Sequence, residues 1–121
     1  MKEIRLGKIG EAIRERVAFV LEFNLQDPRR SLVTITVTHV KLAKDLSRCT
    51  VFYSVLGGEK ERSLAAHLLK HANGFVRSEV AKVLKTRRNP HLEFEFDDSV
   101  QKSVELSKRI DEVIKQDQEK S

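Results

Sequence analysis

Apolar residues recur at helical spacing from Leu6 to Leu25. Leu6, Ile9, Ile13, Val17, Val20 and Leu21 form a stripe, and Lys8, Glu11, Arg14, Glu15, Arg16 and Glu22 fill the other positions. The spacing predicts an amphipathic helix. Gly7 and Gly10 weaken its first turns by about 1 kcal/mol each relative to alanine. Asp27-Pro28 closes the helix, because the residue before a proline is driven out of the helical region. The period then changes to two. Residues 32–40 set Val33, Ile35 and Val37 against Thr34, Thr36 and Thr38, and residues 48–56 set Cys49, Val51, Tyr53 and Val55 against Thr50 and Ser54. Both stretches predict strands with one buried face. Lys44-Asp45 forms the tip of the Lys41–Ser47 connection, so an antiparallel hairpin is the economical join. Gly57-Gly58 ends the second strand.

From Leu64 to Ser99 the pattern reads helix, break, helix, strand. Leu64 to Lys70 is helical, and Ala72-Asn73-Gly74 is expected to break or kink the chain. A second helix follows, with Val76, Val80, Val83 and Leu84 on one side, until Asn89-Pro90 ends it. Leu92, Phe94 and Phe96 alternate with Glu93, Glu95 and Asp97 as a third strand. Asp98, with Gln101 three residues on, resembles a capping box for a last helix striped with Val100, Val104, Ile110, Val113 and Ile114. Residues 1–116 form one expected domain, and residues 117–121 a short frayed polar tail. The element order, α-β-β-α-kink-α-β with an added C-terminal helix, predicts an α+β fold: a three-stranded sheet with its helices on one face.

Charge narrows the function. The chain of 121 residues carries 23 Lys/Arg against 18 Asp/Glu, a formal charge of +5, and its pI is about 9.5. This balance favours a polyanionic partner. The cations concentrate in one place: Lys70, Arg77, Lys82, Lys85, Arg87 and Arg88 are opposed only by Glu79, and the strand that follows carries only acids. The single Cys49 excludes an internal disulfide and fits a reducing compartment. No apolar run resembles a signal peptide or membrane span, so a cytoplasmic protein is expected.

The element order is that of a type II KH domain, and the residues carry a closer resemblance. Gln26-Asp27-Pro28-Arg29, the stretch around Asp45-Leu46-Ser47, and Val51 through Leu56 contribute to it. So do Ala72-Asn73-Gly74-Phe75-Val76-Arg77 and the run Pro90-x-Leu92-x-Phe94-x-x-Asp97-x-Ser99. Taken in order, these motifs resemble the bacterial ribosome-binding factor A family across nearly the whole chain. The resemblance implies a KH-like fold whose helix pair meets at Ala72-Asn73-Gly74. It also implies binding to small-subunit rRNA during late ribosome assembly, notably in cold-stressed cells.

An ordinary KH domain clamps single strands with a Gly-x-x-Gly loop between two helices. The corresponding joint here is Ala72-Asn73-Gly74, and no Gly-x-x-Gly clamp is expected anywhere in the chain. Phe75, Phe94 and Phe96 are expected in the core, which leaves little for base stacking. Recognition is therefore expected to lean on phosphates and RNA shape, through Arg5, Lys8, Arg29, Arg77, Lys82, Lys85, Arg87 and Arg88. The expected partners are small-subunit rRNA and the free small subunit, met by a monomer without membrane contact. A general KH-type RNA-binding module and a protein-interaction or dimerisation domain are the alternatives. His67 and His71 stand one helical turn apart, but no glutamate follows His67 and no third ligand is evident. Cys49 lacks an activating partner. No metal, cofactor or catalytic residue is expected, and the chain reads as a non-enzyme.

Overall fold

The computed structural model describes residues 2–84, 89–99 and 106–107. Helix α1 spans Lys2–Phe19 and runs into a π-helical turn, Val20–Asn24. A 3₁₀ turn at Pro28–Leu32 leads to strand β1, Thr34–Leu42, then β2, Arg48–Leu56, helix α2, Glu59–Val83, and strand β3, His91–Phe96. The strands form one sheet in the order β1-β2-β3, with β1 antiparallel and β3 parallel to β2. The expected α+β architecture with a three-stranded sheet is present. The stripe proposed for a last helix lies outside the described residues, as does the polar tail.

One face of the sheet is covered by both helices. Ile13, Val17, Val20 and Leu21 from α1 and its turn meet Ala65, Leu69, Ala72, Val76 and Val80 from α2. Between them lie Val37, Cys49, Val51, Tyr53, Val55 and Leu92 from the strands. The period-2 and period-3.6 stripes therefore close on one core. Phe94 and Phe96 sit half-buried at its margin, edge-on to Tyr53 with centroids 6.5 and 5.9 Å away.

The break expected at Ala72-Asn73-Gly74 is absent, because one helix runs unbroken from Glu59 to Val83. Ala65, Leu68, Leu69, Ala72, Val76 and Val80 keep a single buried stripe straight through the joint, so burial requires no interruption there. Gly57 alone among the glycines has a positive φ, +124°. Gly74 is therefore an ordinary right-handed helix residue, and it is exposed. Asn73 does not end the helix either. Its Nδ2 donates to the Leu92 carbonyl at 2.9 Å and ties α2 to the start of β3. The helix starts earlier than expected, where the Glu61 carboxylate accepts the Gly58 N–H at 2.9 Å.

The expected strict alternation along residues 32–40 also fails at one point. Val37 pairs with Tyr53 and His39 with Phe52, so Thr38 is an extra residue, a β-bulge. The bulge reverses the phase of β1. Val40 and Leu42 turn to the helix side opposite Val51 and Cys49, and His39 turns out to stack on Phe52 at 4.2 Å. Thr38 Oγ1 donates to an Asp97 carboxylate oxygen at 2.8 Å, joining β1 to the end of β3 across β2. Hydrogen bonds from Ser99 and then Thr38 hold the Asp97 carboxyl down at about 2.

Candidate nucleic-acid interface

The fold sorts the candidate cations into groups. Arg5 and Lys8 lie exposed on the first half of α1, and neither forms an ion pair among the described residues. Arg29 is held by its neighbour. Asp27 caps the 3₁₀ turn, accepting from the Arg29 N–H at 2.9 Å, from Nε at 3.0 Å and, through its other oxygen, from Nη2 at 2.7 Å. These bonds depress the Asp27 carboxyl to about 2. Arg77 is half-buried and clamps the approach to β3: its Nη2 donates to the Asn89 carbonyl at 3.0 Å, and Asn89 Nδ2 returns a bond to the Arg77 carbonyl at 3.3 Å. Arg29 and Arg77 are therefore spent on the fold. Lys82 pairs with Glu79 at 2.8 Å but remains largely exposed. Exposed pairs contribute about 0–1 kcal/mol, so a phosphate can compete for Lys82. Lys85, Arg87 and Arg88 lie outside the described residues.

Topology gathers the available charge at one end. Leu6, Gly7 and Gly10 of α1 share a groove with Val40, Lys41 and Leu42 of β1. The chain leaving α2 re-enters the sheet at His91, whose N–H donates to the Ser47 carbonyl of the hairpin turn at 3.0 Å. The first half of α1, the hairpin turn and the start of β3 thus neighbour one another. This adds exposed Lys41 and Lys44, neither ion-paired among the described residues. Their signal in the sequence was only a lysine at each side of a turn. A Gly-x-x-Gly spacing does occur, at Gly7-Lys8-Ile9-Gly10. It lies inside α1, where the helix itself engages the backbone N–H groups, and not in a loop between two helices.

The aromatic residues depart furthest from expectation. Phe75 is 45% exposed and not in the core, and Phe19 and Phe23 are 46% and 65% exposed. Val17, Val20 and Leu21 fill the buried side of α1 and its turn, so Phe19 and Phe23 are left on the outer side, with ring centroids 5.0 Å apart. The π turn also diverts the Leu25 N–H to the Val20 carbonyl, and the Leu21 carbonyl instead accepts Arg30 Nε at 3.1 Å. A pair of phenylalanines off the apolar stripe was the available sequence signal for this surface.

His67 and His71 are both exposed on α2, and among the described residues no group of three His, Cys, Asp or Glu side chains gathers to hold a metal. Cys49 is fully buried, and burial pushes its thiol up to about 11. Among the described residues no helix is long and apolar enough to cross a membrane.

Comparison with known proteins gives this surface a context. The model of the family described as ribosome-binding factor A matches residues 5–110. The ribosome-binding factor A of Nitrosomonas europaea is 36% identical over 110 residues, covering 91% of this chain and 92% of the relative. That of Geobacter metallireducens is 38% identical over 112 residues, covering 93% and 90%. The crystal structure of the Thermus thermophilus ribosome-binding factor A superposes with a TM-score of 0.62 at 28% identity, over 74% of this chain and 93% of that one. A homology model of the Thermus thermophilus factor, fitted into a cryo-EM map of its complex with the 30S subunit, matches with a TM-score of 0.60 at 26% identity, over 75% and 93%. The motifs along the sequence, the fold and these relatives agree: the chain belongs to the ribosome-binding factor A family and has its KH-like α+β fold.

Proposed function

We propose that this chain binds the immature small ribosomal subunit through its rRNA and assists late rRNA folding and processing, above all in the cold. The observation that carries the reading is family membership over residues 5–110, supported by the Thermus thermophilus relative fitted into a 30S complex. Cationic side chains supply the chemistry. Arg5 and Lys8, with Lys85, Arg87 and Arg88 of the α2–β3 connection, contact phosphates; Lys82 is exchangeable, and Arg29 and Arg77 hold the backbone that presents the others. The protein works in the cytoplasm as a monomer, without cofactor and without catalysing a covalent step. It acts by differential affinity, because a ligand shifts an rRNA folding equilibrium only as far as it binds one conformer better than another.

Neutralising about five phosphates makes affinity fall roughly 10²- to 10³-fold between 50 and 200 mM salt. Cosedimentation with immature small subunits, mature small subunits and assembled ribosomes tests the reading, with Arg5→Ala/Lys8→Ala as a paired variant. The chain is expected to pellet with immature subunits and release with salt. The paired variant is expected to bind more weakly, with a salt slope lower by about two. Equal binding to mature and immature subunits would overturn the folding role. Equal binding to unrelated structured RNA would favour a general KH-type module, and dimerisation indifferent to RNA and salt would favour an interaction domain.

A further inference from the structure

Three exposed phenylalanines lie on the two helices, Phe19 and Phe23 at the end of α1 and in its π turn, and Phe75 in the middle of α2. Phe19 and Phe23 lie against each other on α1 and its π turn. Asn24, the next residue, lines a groove of about 560 Å³ with Pro28, His71 and Phe75. One turn of α2 beyond Phe75, Glu79 holds Arg16 Nη2 at 2.7 Å and Lys82 Nζ at 2.8 Å. Arg16 in turn lies over the Phe19 ring, 5.5 Å from its centroid. Arg16 and Glu79 thus tie the Phe19–Phe23 pair to α2 one turn beyond Phe75.

Resting on the RNA-binding reading, we propose that Phe19, Phe23 and Phe75 offer a ledge on which unpaired bases of single-stranded rRNA stack, with Lys82 at its rim meeting the phosphates and Arg16, held by Glu79, positioning the Phe19 ring. Aromatic rings beside a cationic groove are the means by which proteins hold single strands without reading sequence, since every base has a π face. The rim fits that occupant. Two cations share one carboxylate, so it keeps a net positive charge in a chain already at +5. The groove beside Phe75 is lined by Asn24, Gln26, Asp27 and His71 as well as apolar atoms. Such a lining suits bases, whose edges form hydrogen bonds, better than an aliphatic protein face. The ledge supplies what the fold otherwise lacks, because Ala72-Asn73-Gly74 continues a helix and offers no strand-clamping loop.

The test compares a short unstructured RNA with an abasic RNA of the same length and backbone, by fluorescence anisotropy on the full chain. The wild type is expected to favour the base-bearing RNA about tenfold or more. Phe19→Ala, Phe23→Ala and Phe75→Ala are each expected to reduce that preference with the salt slope unchanged, since no phosphate contact is lost. Phe75→Trp is expected to restore it. Phe19 and Phe75 are about half-buried, so their alanine variants should melt lower than the wild type yet remain folded at the assay temperature, which the melts check. Equal wild-type affinity for the two RNAs, or alanine variants that keep the preference, would overturn the ledge while leaving phosphate binding intact. Unchanged RNA binding by alanine variants that no longer pellet with small subunits would also overturn it and assign the rings to a ribosomal protein. Failure of the wild type to bind either RNA or the subunit would remove the RNA-binding reading itself.

Discussion

Replacing Gly74 with alanine separates two descriptions of the segment that most identifies this chain. If the backbone needed glycine at a kink, a Cβ there would strain it and stability would fall. In the structure α2 continues through residue 74, φ there is right-handed, and an added Cβ would meet nothing within 4 Å. The substitution then removes the backbone-entropy penalty of glycine and adds no clash, a gain of about 0.8–1.0 kcal/mol. An unfolding entropy of about 2.1 cal/mol/K per residue, over 121 residues, converts this to a rise in Tm of about 3–4 °C. A circular-dichroism melt of Gly74→Ala beside the wild type reads it directly, and calorimetry checks that unfolding remains two-state. A fall of a few degrees would refute the reasoning, because it would mean that residue 74 leaves the helical region in solution. The same variant reports on function. Open space at Gly74 lets an RNA backbone approach closely, so weaker subunit binding with a raised Tm would mark Gly74 as a contact retained at a cost in stability.

The remaining predictions concern other links in the fold. Gly57→Ala should destabilise by more than about 1 kcal/mol, seen as a lower Tm, because φ there is +124° and a Cβ would sit 2.7 Å from the Glu61 side chain. Asp27 and Asp97 both have carboxyls depressed to about 2 from an ordinary 3.8, by Arg29 and by Ser99 with Thr38 respectively. Their stabilisation is complete above about pH 5 and is lost as pH falls toward 2. Melts at stepped pH should show Tm falling in that window, with a shallower fall in Asp97→Asn, whose residue 97 does not titrate. Cys49 should resist a thiol reagent at pH 8 until the protein unfolds, since it is fully buried with its thiol raised to about 11. Labelling that outpaces unfolding would show that the β2 face opens locally.

Periodicity made most of the fold legible, because burial enforces it. Ile13, Val17, Val20 and Leu21, the inward row Cys49–Val55, and Leu92 with Phe94 and Phe96 all face the side their spacing predicts. The misses occur where a residue type has two physical uses. Glycine permits a break but also sits in a continuous helix at about 1 kcal/mol, and at Gly74 the unbroken stripe of buried neighbours decides for the helix. Alternation is interrupted by Thr38 because a bulge adds one residue with no change in composition. Arginine carries a charge whether it meets phosphate or the chain's own carbonyls, and partners as far apart in sequence as Arg16 and Glu79 become neighbours only after folding. Phenylalanine is the sharpest case. The rule that apolar residues go inside runs in one direction only. The helices here have filled their buried sides with Val, Leu, Ile and Ala before Phe19, Phe23 and Phe75 are placed. Exposing three aromatic rings costs solvation free energy that a domain selected for stability alone would not retain. Their exposure is therefore the part of this surface least explained by folding, and the part for which a bound partner accounts best.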